Sequence, residues 1–186
     1  MALSYDEAVA QISGPGSPFE TVEELINGVP FRVFKNAPPN LRGVFDGARL
    51  DENIFLVYED EEWSYKKVME HADALGYALV HEYGIKKGDR VGIAMRNLPE
   101  WIVANAWWTE DENEYAVNDA GLSLLIADPE RISRAHGPCT RAGIRILGVR
   151  LDELQPLPPN VDNWNDVLVL GSAMPTVDVL PDDAAT

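Results

Sequence analysis

Few residues of this 186-residue chain have the types and spacing that chemistry needs. Glu59-Asp60-Glu61-Glu62 sets four carboxylates in a row, the composition of a metal cluster, but neighbouring side chains in a turn point apart, so a solvated hairpin turn is expected. His71 and His81 stand near the polar side of one helix and share no face on which a metal could be held. His136 and Cys139 flank Gly137-Pro138, and no second pair completes a zinc site. A nucleophilic Cys139 would also need a third group to orient His136, and none is identifiable. Gly88-Asp89 belongs to no glycine-rich phosphate loop, since neither GxGxxG nor GxxxxGK[ST] occurs. Trp107-Trp108 pair two aromatics beside a helix cap, where they either pack in a core or line an apolar ligand tunnel; core packing is the expectation. No catalytic residue, metal ligand or cofactor-binding residue is assigned.

The elements around these residues centre on 55–95. Phe55–Tyr58 reads as a strand and Trp63–Tyr65 as its return, with the acidic run as their turn. Ser64 is an N-cap, and Val68, Ala72, Leu75, Leu79 and Tyr83 recur on one helical face that demands burial. Gly84 ends that helix in the left-handed conformation, and Gly88-Asp89 turns the chain into the strand Arg90–Met95.

Upstream, Ser4 caps a short helix over 4–12, and GPGSP at 14–18 bends the chain, so 1–17 is expected to be loosely attached and 18–186 to form one partial α/β domain. Residues 21–25 and 30–34 read as an irregular lead-in. Asn40 caps a helix whose Leu41, Val44, Phe45 and Ala48 face inward, and Phe34, Phe45 and Pro38-Pro39 act as packing elements. Downstream, Asn97 caps a helix with Pro99 in its first turn and Trp101, Ile102 and Ala104 on its apolar side. Thr109–Glu112 is a capping-box spacing that starts another helix. Leu122–Ala127 is a buried strand, Asp128-Pro129 opens a helix that Gly137-Pro138 interrupts, 144–149 is a strand and 162–169 a last short helix. This alternation predicts a layered α/β fold with a mainly parallel sheet and flanking helices.

Composition narrows the function classes. With 31 Asp plus Glu against 15 Lys plus Arg, the formal charge is −16, and a field of that sign repels nucleic-acid phosphates and anionic lipid. One cysteine rules out an internal disulfide framework and fits a reducing compartment. No apolar run approaches the roughly 20 residues of a membrane helix, and the acidic N-terminus lacks the basic cluster of a signal peptide. A cytoplasmic location is expected.

Three runs make the chain recognisable: WSYKKV, YGIKKGDRVGIAMRNLPEWIVA, and NAWWTEDENEYAVNDAG followed by LLIADPERI. In order and spacing they resemble the N-terminal part of the AMP-forming adenylating enzymes, most closely the long-chain fatty-acid CoA ligases, over most of 18–186. The resemblance implies a parent reaction that activates a carboxylic acid with ATP to an acyl-adenylate and passes the acyl group to coenzyme A. It implies fatty acid, ATP, Mg2+ and coenzyme A for the complete enzyme, and an acyl tunnel as the functional reading of Trp107 and Trp108.

Two departures from the family pattern bear on activity. At Ala104-Asn105, EWIVA runs directly into NAWWT, where the ligases carry a helix end and an apolar strand of about fifteen residues. An omitted stretch, a real deletion and a differently built relative are the competing explanations. The second departure is at 182–186, which resembles the run-in to the family's phosphate-binding loop, without the loop following. The chain alone is therefore expected to bind no ATP, Mg2+ or coenzyme A and to be catalytically incomplete. The alternative is a non-catalytic acidic α/β interaction module, or truncated paralogue, that pairs with a full-length ligase; a homo-oligomer or association with the rest of the ligase is the partner expectation.

Overall fold

In a computed structural model that describes residues 3–38, 40–104, 121–152, 154 and 156–178, contacts divide the chain into Met1–Gly47 with Asp178–Thr186, and Ala48–Val177. The division falls at Gly47/Ala48, thirty residues beyond the boundary expected at 17/18.

The first unit is built from local signals. Ser4 Oγ accepts from the Glu7 amide at 3.3 Å while Glu7 Oε2 accepts from the Ser4 amide at 2.8 Å, a reciprocal capping box that opens α1, Tyr5–Ser13. Where an irregular lead-in is expected, β1 (Thr21–Ile26) and β2 (Val29–Phe34) form a regular antiparallel hairpin with Ile26 opposite Val29. Asn27 and Gly28, at φ 50° and 80°, make the two-residue turn. Asn-Gly favours that left-handed pair, which matches the twist of the strands it joins. α2 spans Leu41–Phe45, and Asn40 caps it by accepting from the Gly43 amide at 3.0 Å. Val44 and Phe45, expected to face inward, are exposed. No described residue of this unit is buried, so its apolar side chains have no core to face. Phe34 does meet Phe19 edge-on, at 6.2 Å between ring centres, yet it too is exposed.

The second unit carries the core. β3 (Ile54–Tyr58) pairs antiparallel with β4 (Glu61–Ser64), and the turn between them is Glu59-Asp60 alone. Glu61 and Glu62 are strand residues, and Tyr65 belongs to the helix that follows. Ser64 Oγ accepts from the Lys67 amide and opens α3, Tyr65–His81. Its buried side is Val68, Ala74, Leu75 and Ala78, while Leu79 and the expected Ala72 are half-buried. β5 (Arg90–Ala94) follows, then α4 (Pro99–Ala104). α4 begins at Pro99; Pro99 and Glu100 are buried, whereas Ile102 is exposed. The junction at Ala104-Asn105, the helix expected from residue 110 and the Trp107-Trp108 pair lie at or beyond the last described residue before 121.

β6 (Leu122–Ala127), α5 (Pro129–Ala142), β7 (Arg145–Gly148), β8 (Val161–Asn163) and α6 (Trp164–Val167) complete the unit. α5 runs through Gly137-Pro138 instead of breaking there. Pro138 removes one amide donor, but Gly137 has no Cβ to meet the proline ring. Ile132, Ala135 and Cys139, all 2% exposed or less, pin both sides of the irregularity to the sheet; packing outweighs one lost bond. β8 takes Asp162 and Asn163 from the start of the helix expected over 162–169.

Strands β5, β6, β7 and β8 form one parallel sheet in that order. Its side chains alternate between two buried faces, as strand geometry requires. Ala94, Leu125, Ala127 and Ile146 meet Ile132, Ala135 and Cys139 of α5. Ile93, Leu124, Ile126 and Leu147 meet Leu75 of α3, Leu98 and Trp164 of α6. Near-continuous apolar strands covered on both sides are the signature of a parallel sheet. The layered α/β architecture expected from the sequence is the one found.

Candidate functional site

The carboxyl ends of β5, β6 and β7 are drawn together by main-chain bonds. The Asp128 amide donates to the Ala94 carbonyl at 3.2 Å, and the Val149 amide to the Ala127 carbonyl at 2.9 Å. In open α/β sheets this edge is where ligands are held, because loops and helix starts converge there. Here it carries a cleft of about 450 Å3, lined by Arg96, Leu98, Asp128, Glu130, Arg150 and Asp152 among others. That volume lies within the range of small-molecule sites.

Asp128 has no solvent exposure and spends its carboxylate entirely on this edge. Oδ1 accepts from the Arg131 amide at 3.0 Å, capping α5; Oδ2 accepts from the Arg96 amide at 2.9 Å and Arg131 Nη1 at 3.2 Å. Arg96 Nε stands 3.7 Å from the same oxygen, while the Arg96 side chain is 63% exposed at the mouth of the cleft.

Arg150, just beyond β7, is a non-glycine residue at φ 54°. Its Nε donates to Glu100 Oε1 at 3.0 Å, and Nη2 to Glu100 Oε2 at 3.2 Å and Glu61 Oε2 at 3.1 Å. Nη1 closes the fork on Glu61 Oε1, and the guanidinium stands 5.5 Å from the centre of the Tyr58 ring. One cation thus ties the β3–β4 hairpin, α4 and the end of β7 around the cleft. The Glu61 carboxyl is held below its ordinary value, chiefly by the Arg150 hydrogen bonds, and the Arg150 guanidinium is held above its own by the same pairing.

The residues weighed for chemistry from the sequence do not converge here. Glu61 leaves the acidic turn for Arg150. His71 Nδ1 lies 2.8 Å from the Lys67 carbonyl with its ring against Trp63, and His81 lies against Tyr77. His136 Nε2 meets the Pro159 carbonyl at 3.0 Å. Cys139 is wholly buried on the sheet side of α5, where burial pushes its thiol up to about 11, the reverse of an activated nucleophile. Trp107 and Trp108 lie outside the described residues.

Sequence reasoning found Asp128 as a helix start but missed its burial, which its position after the apolar run Leu124–Ala127 signals. It missed Arg150 altogether, because the partners lie 50 and 89 residues away and no local pattern links them.

The described lining of the cleft does not fit a magnesium triphosphate. Asp128, Glu130 and Asp152 outnumber its two arginines, and Arg150 is already shared by two carboxylates. Among the described residues no three His, Cys, Asp or Glu side chains come together as metal ligands. The strand order runs one way among the described strands, with none of the reversal at which nucleotide crevices form.

Residues 46–186 match the model of a family described as AMP-binding enzyme. Fatty acyl-CoA synthetase A of Dictyostelium discoideum is 28% identical over 123 residues, covering 56% of this chain and 17% of that protein. A long-chain-fatty-acid–CoA ligase of Escherichia coli is 30% identical over 93 residues, covering 42% of this chain and 17% of its own. The chain thus spans about a sixth of the length of these curated relatives. Among solved structures, a benzoate CoA ligase from Burkholderia xenovorans superposes with a TM-score of 0.55 at 14% identity, over 72% of this chain and 29% of that one. A mutant form of coronafacic acid ligase from Pectobacterium brasiliense gives 0.54 at 16%, over 63% and 26%. At such identities these structures speak to the fold.

Proposed function

The chain belongs to the AMP-binding enzyme family, and from that premise we propose that it is the N-terminal α/β portion of a fatty-acid–CoA ligase. The complete enzyme would join a fatty acid to coenzyme A through an acyl-adenylate, with ATP converted to AMP and diphosphate. The observation that carries this reading is the seating of the family-like runs on the folded unit. WSY stands at the β4–α3 junction, KKGDRV at the turn into β5, and RNLPEW at the sheet edge beside the cleft. The names of the two curated relatives support an acyl chain as substrate.

No step of that reaction is assigned to residues of this chain, and the chain by itself is inferred to be catalytically incomplete. In this reading Trp107 and Trp108 pack in the core of the complete domain, lining of an acyl tunnel being their alternative role. A cytoplasmic setting follows from the reading; no helix among the described residues is long and apolar enough to cross a membrane.

The test is acid-dependent ATP–diphosphate exchange, measured on the 186-residue chain and on the natural gene product, with intact mass recorded for the latter. Exchange by a natural product well above 20.6 kDa, and none by the chain, is expected. Turnover by the chain alone would overturn its incompleteness, and a larger natural product inert with every fatty acid would overturn the ligase reading.

The exposed apolar residues Val29 and Phe31, on one face of the β1–β2 hairpin, favour a second reading. It is a non-catalytic module that self-associates or pairs with a full-length ligase. Sedimentation of the chain at two concentrations distinguishes it, since a monomer at both removes self-association.

A further inference from the structure

The parallel sheet ends at β5 on one side and at β8 on the other. β8 is a three-residue edge, too short to be a good template for pairing. β5 is built as an inner strand. Gly92, Ile93 and Ala94 are buried, with Ile93 on the α3 side of the sheet and Ala94 on the α5 side. Val91–Ala94 carries no charge or proline of the kind that blunts natural edges. The Asp128 amide bonds the Ala94 carbonyl, so Ala94 and Gly92 present their main chain to β6. Val91 and Ile93, the alternate residues, present theirs to the outer edge, where no described strand lies.

The helices indicate that a strand belongs on that edge. Trp101 and Val103 of α4 pack on the α3 side of the sheet, whereas Ile132, Ala135 and Cys139 of α5 pack on the other. β5 to β6 and β6 to β7 step the same way along the sheet, so crossovers through helices on opposite faces would have opposite hands. Parallel crossovers are right-handed almost without exception. With α5 joining β6 to β7, a strand reached through α4 falls on the outer edge of β5. Yet the sequence over 105–120 holds no apolar run longer than three residues, which turns the search for a donor to another polypeptide.

Charge narrows the donor. Lys86, Lys87 and Arg90 stand at one end of the edge and Arg96, 63% exposed, at the other, against Asp89 alone. A basic rim on a chain of charge −16 selects carboxylates, and it opposes the pairing of two β5 edges from two copies.

We propose that the outer edge of β5 is a strand-acceptor site for an extended segment of a partner protein, apolar over the length of β5 and flanked at both ends by carboxylates. The N–H and C=O groups of Val91 and Ile93 supply the main-chain bonds, and the basic rim supplies the selectivity.

The experiment adds the capped peptide Asp-Glu-Val-Thr-Ile-Val-Glu-Asp to the full 186-residue chain at about 1 mM, matched to the weak affinity of a few main-chain bonds, and reads amide exchange residue by residue. Exchange at Val91 and Ile93 is expected to slow about tenfold, while Gly92 and Ala94, already bonded to β6, stay unchanged. The same peptide with lysine at its four acidic positions should bind about tenfold more weakly. With proline in place of its Thr and Ile it should give no protection, since proline cannot donate to a ladder. Lys86→Glu combined with Arg96→Glu should invert the preference between the acidic and lysine peptides. The proposal is overturned if Val91 and Ile93 exchange as slowly as Gly92 and Ala94 without peptide, or if the acidic peptide leaves them unchanged. It is equally overturned if the proline or lysine peptide protects as well as the acidic one. Protection that rises with protein concentration alone would make a second copy the occupant and overturn it too.

Discussion

The two units of this chain use the same local vocabulary and reach different results. Met1–Gly47 has a capping box, an Asn-Gly hairpin and a capped helical turn, yet not one of its described residues is buried. Ala48–Val177 has caps of the same kind, at Ser64 and Asp128, and sets two buried faces on its sheet. Caps and turns decide where an element starts and stops, while burial of a periodic face supplies most of its stability. A lone two-stranded hairpin is marginal in water for that reason.

The contrast breaks first in the core. Leu147→Ala, at a side chain with no exposure, is expected to destabilise the chain by about 2–5 kcal/mol, read by urea denaturation. Phe31→Ala should stay within about 0.5 kcal/mol. Equal losses would mean that the first unit has a core after all. Asp128→Ala should follow, at about 3 kcal/mol, since it removes a cap and strands the amides of Arg96 and Arg131. A loss below 1 kcal/mol by the same measurement would reduce Asp128 to a surface cap.

Arg150→Ala should cost about 2 kcal/mol, because Glu100 is then left largely buried with its main partner gone while Glu61 regains water. Lys in its place restores charge but not the fork and should recover only part. The same cluster predicts a pH dependence. A carboxyl whose folded value is depressed contributes stability above its unfolded value and loses it as pH falls through the folded one. The stability difference between wild type and Glu61→Gln should therefore hold above 4.5, the ordinary value for Glu61, and shrink below it. A difference that does not move with pH would dissolve the link to Arg150.

The smallest effect belongs to the first hairpin. Gly28→Val, at φ 80°, should speed amide exchange over 21–34 while leaving the urea midpoint of the sheet unit in place.

What could be read from the sequence follows the same line. α3, β5, β6 and the start of α5 were legible because cap, period and turn agree within a dozen residues. The β1–β2 hairpin is equally legible through Asn27-Gly28, although the alternation on either side of that pair reads as an irregular lead-in. β8 was not, with three residues too short to show a period. Pro138 misled because a local rule yielded to the burial of Ile132, Ala135 and Cys139. The Arg150 cluster left no trace, being assembled from three elements far apart in sequence.

The order β5, β6, β7, β8 carries a further consequence. Each strand lies beside the one made just before it, so none must wait for a later segment to find its neighbour. During synthesis from the N-terminus the layer can grow by accretion at one advancing margin, with the crossovers from β6 to β7 and from β7 to β8 spanning few residues. A ribosome-bound chain lengthened just far enough past Gly148 for β7 to clear the exit tunnel should therefore already hold β5, β6 and β7 in their final register.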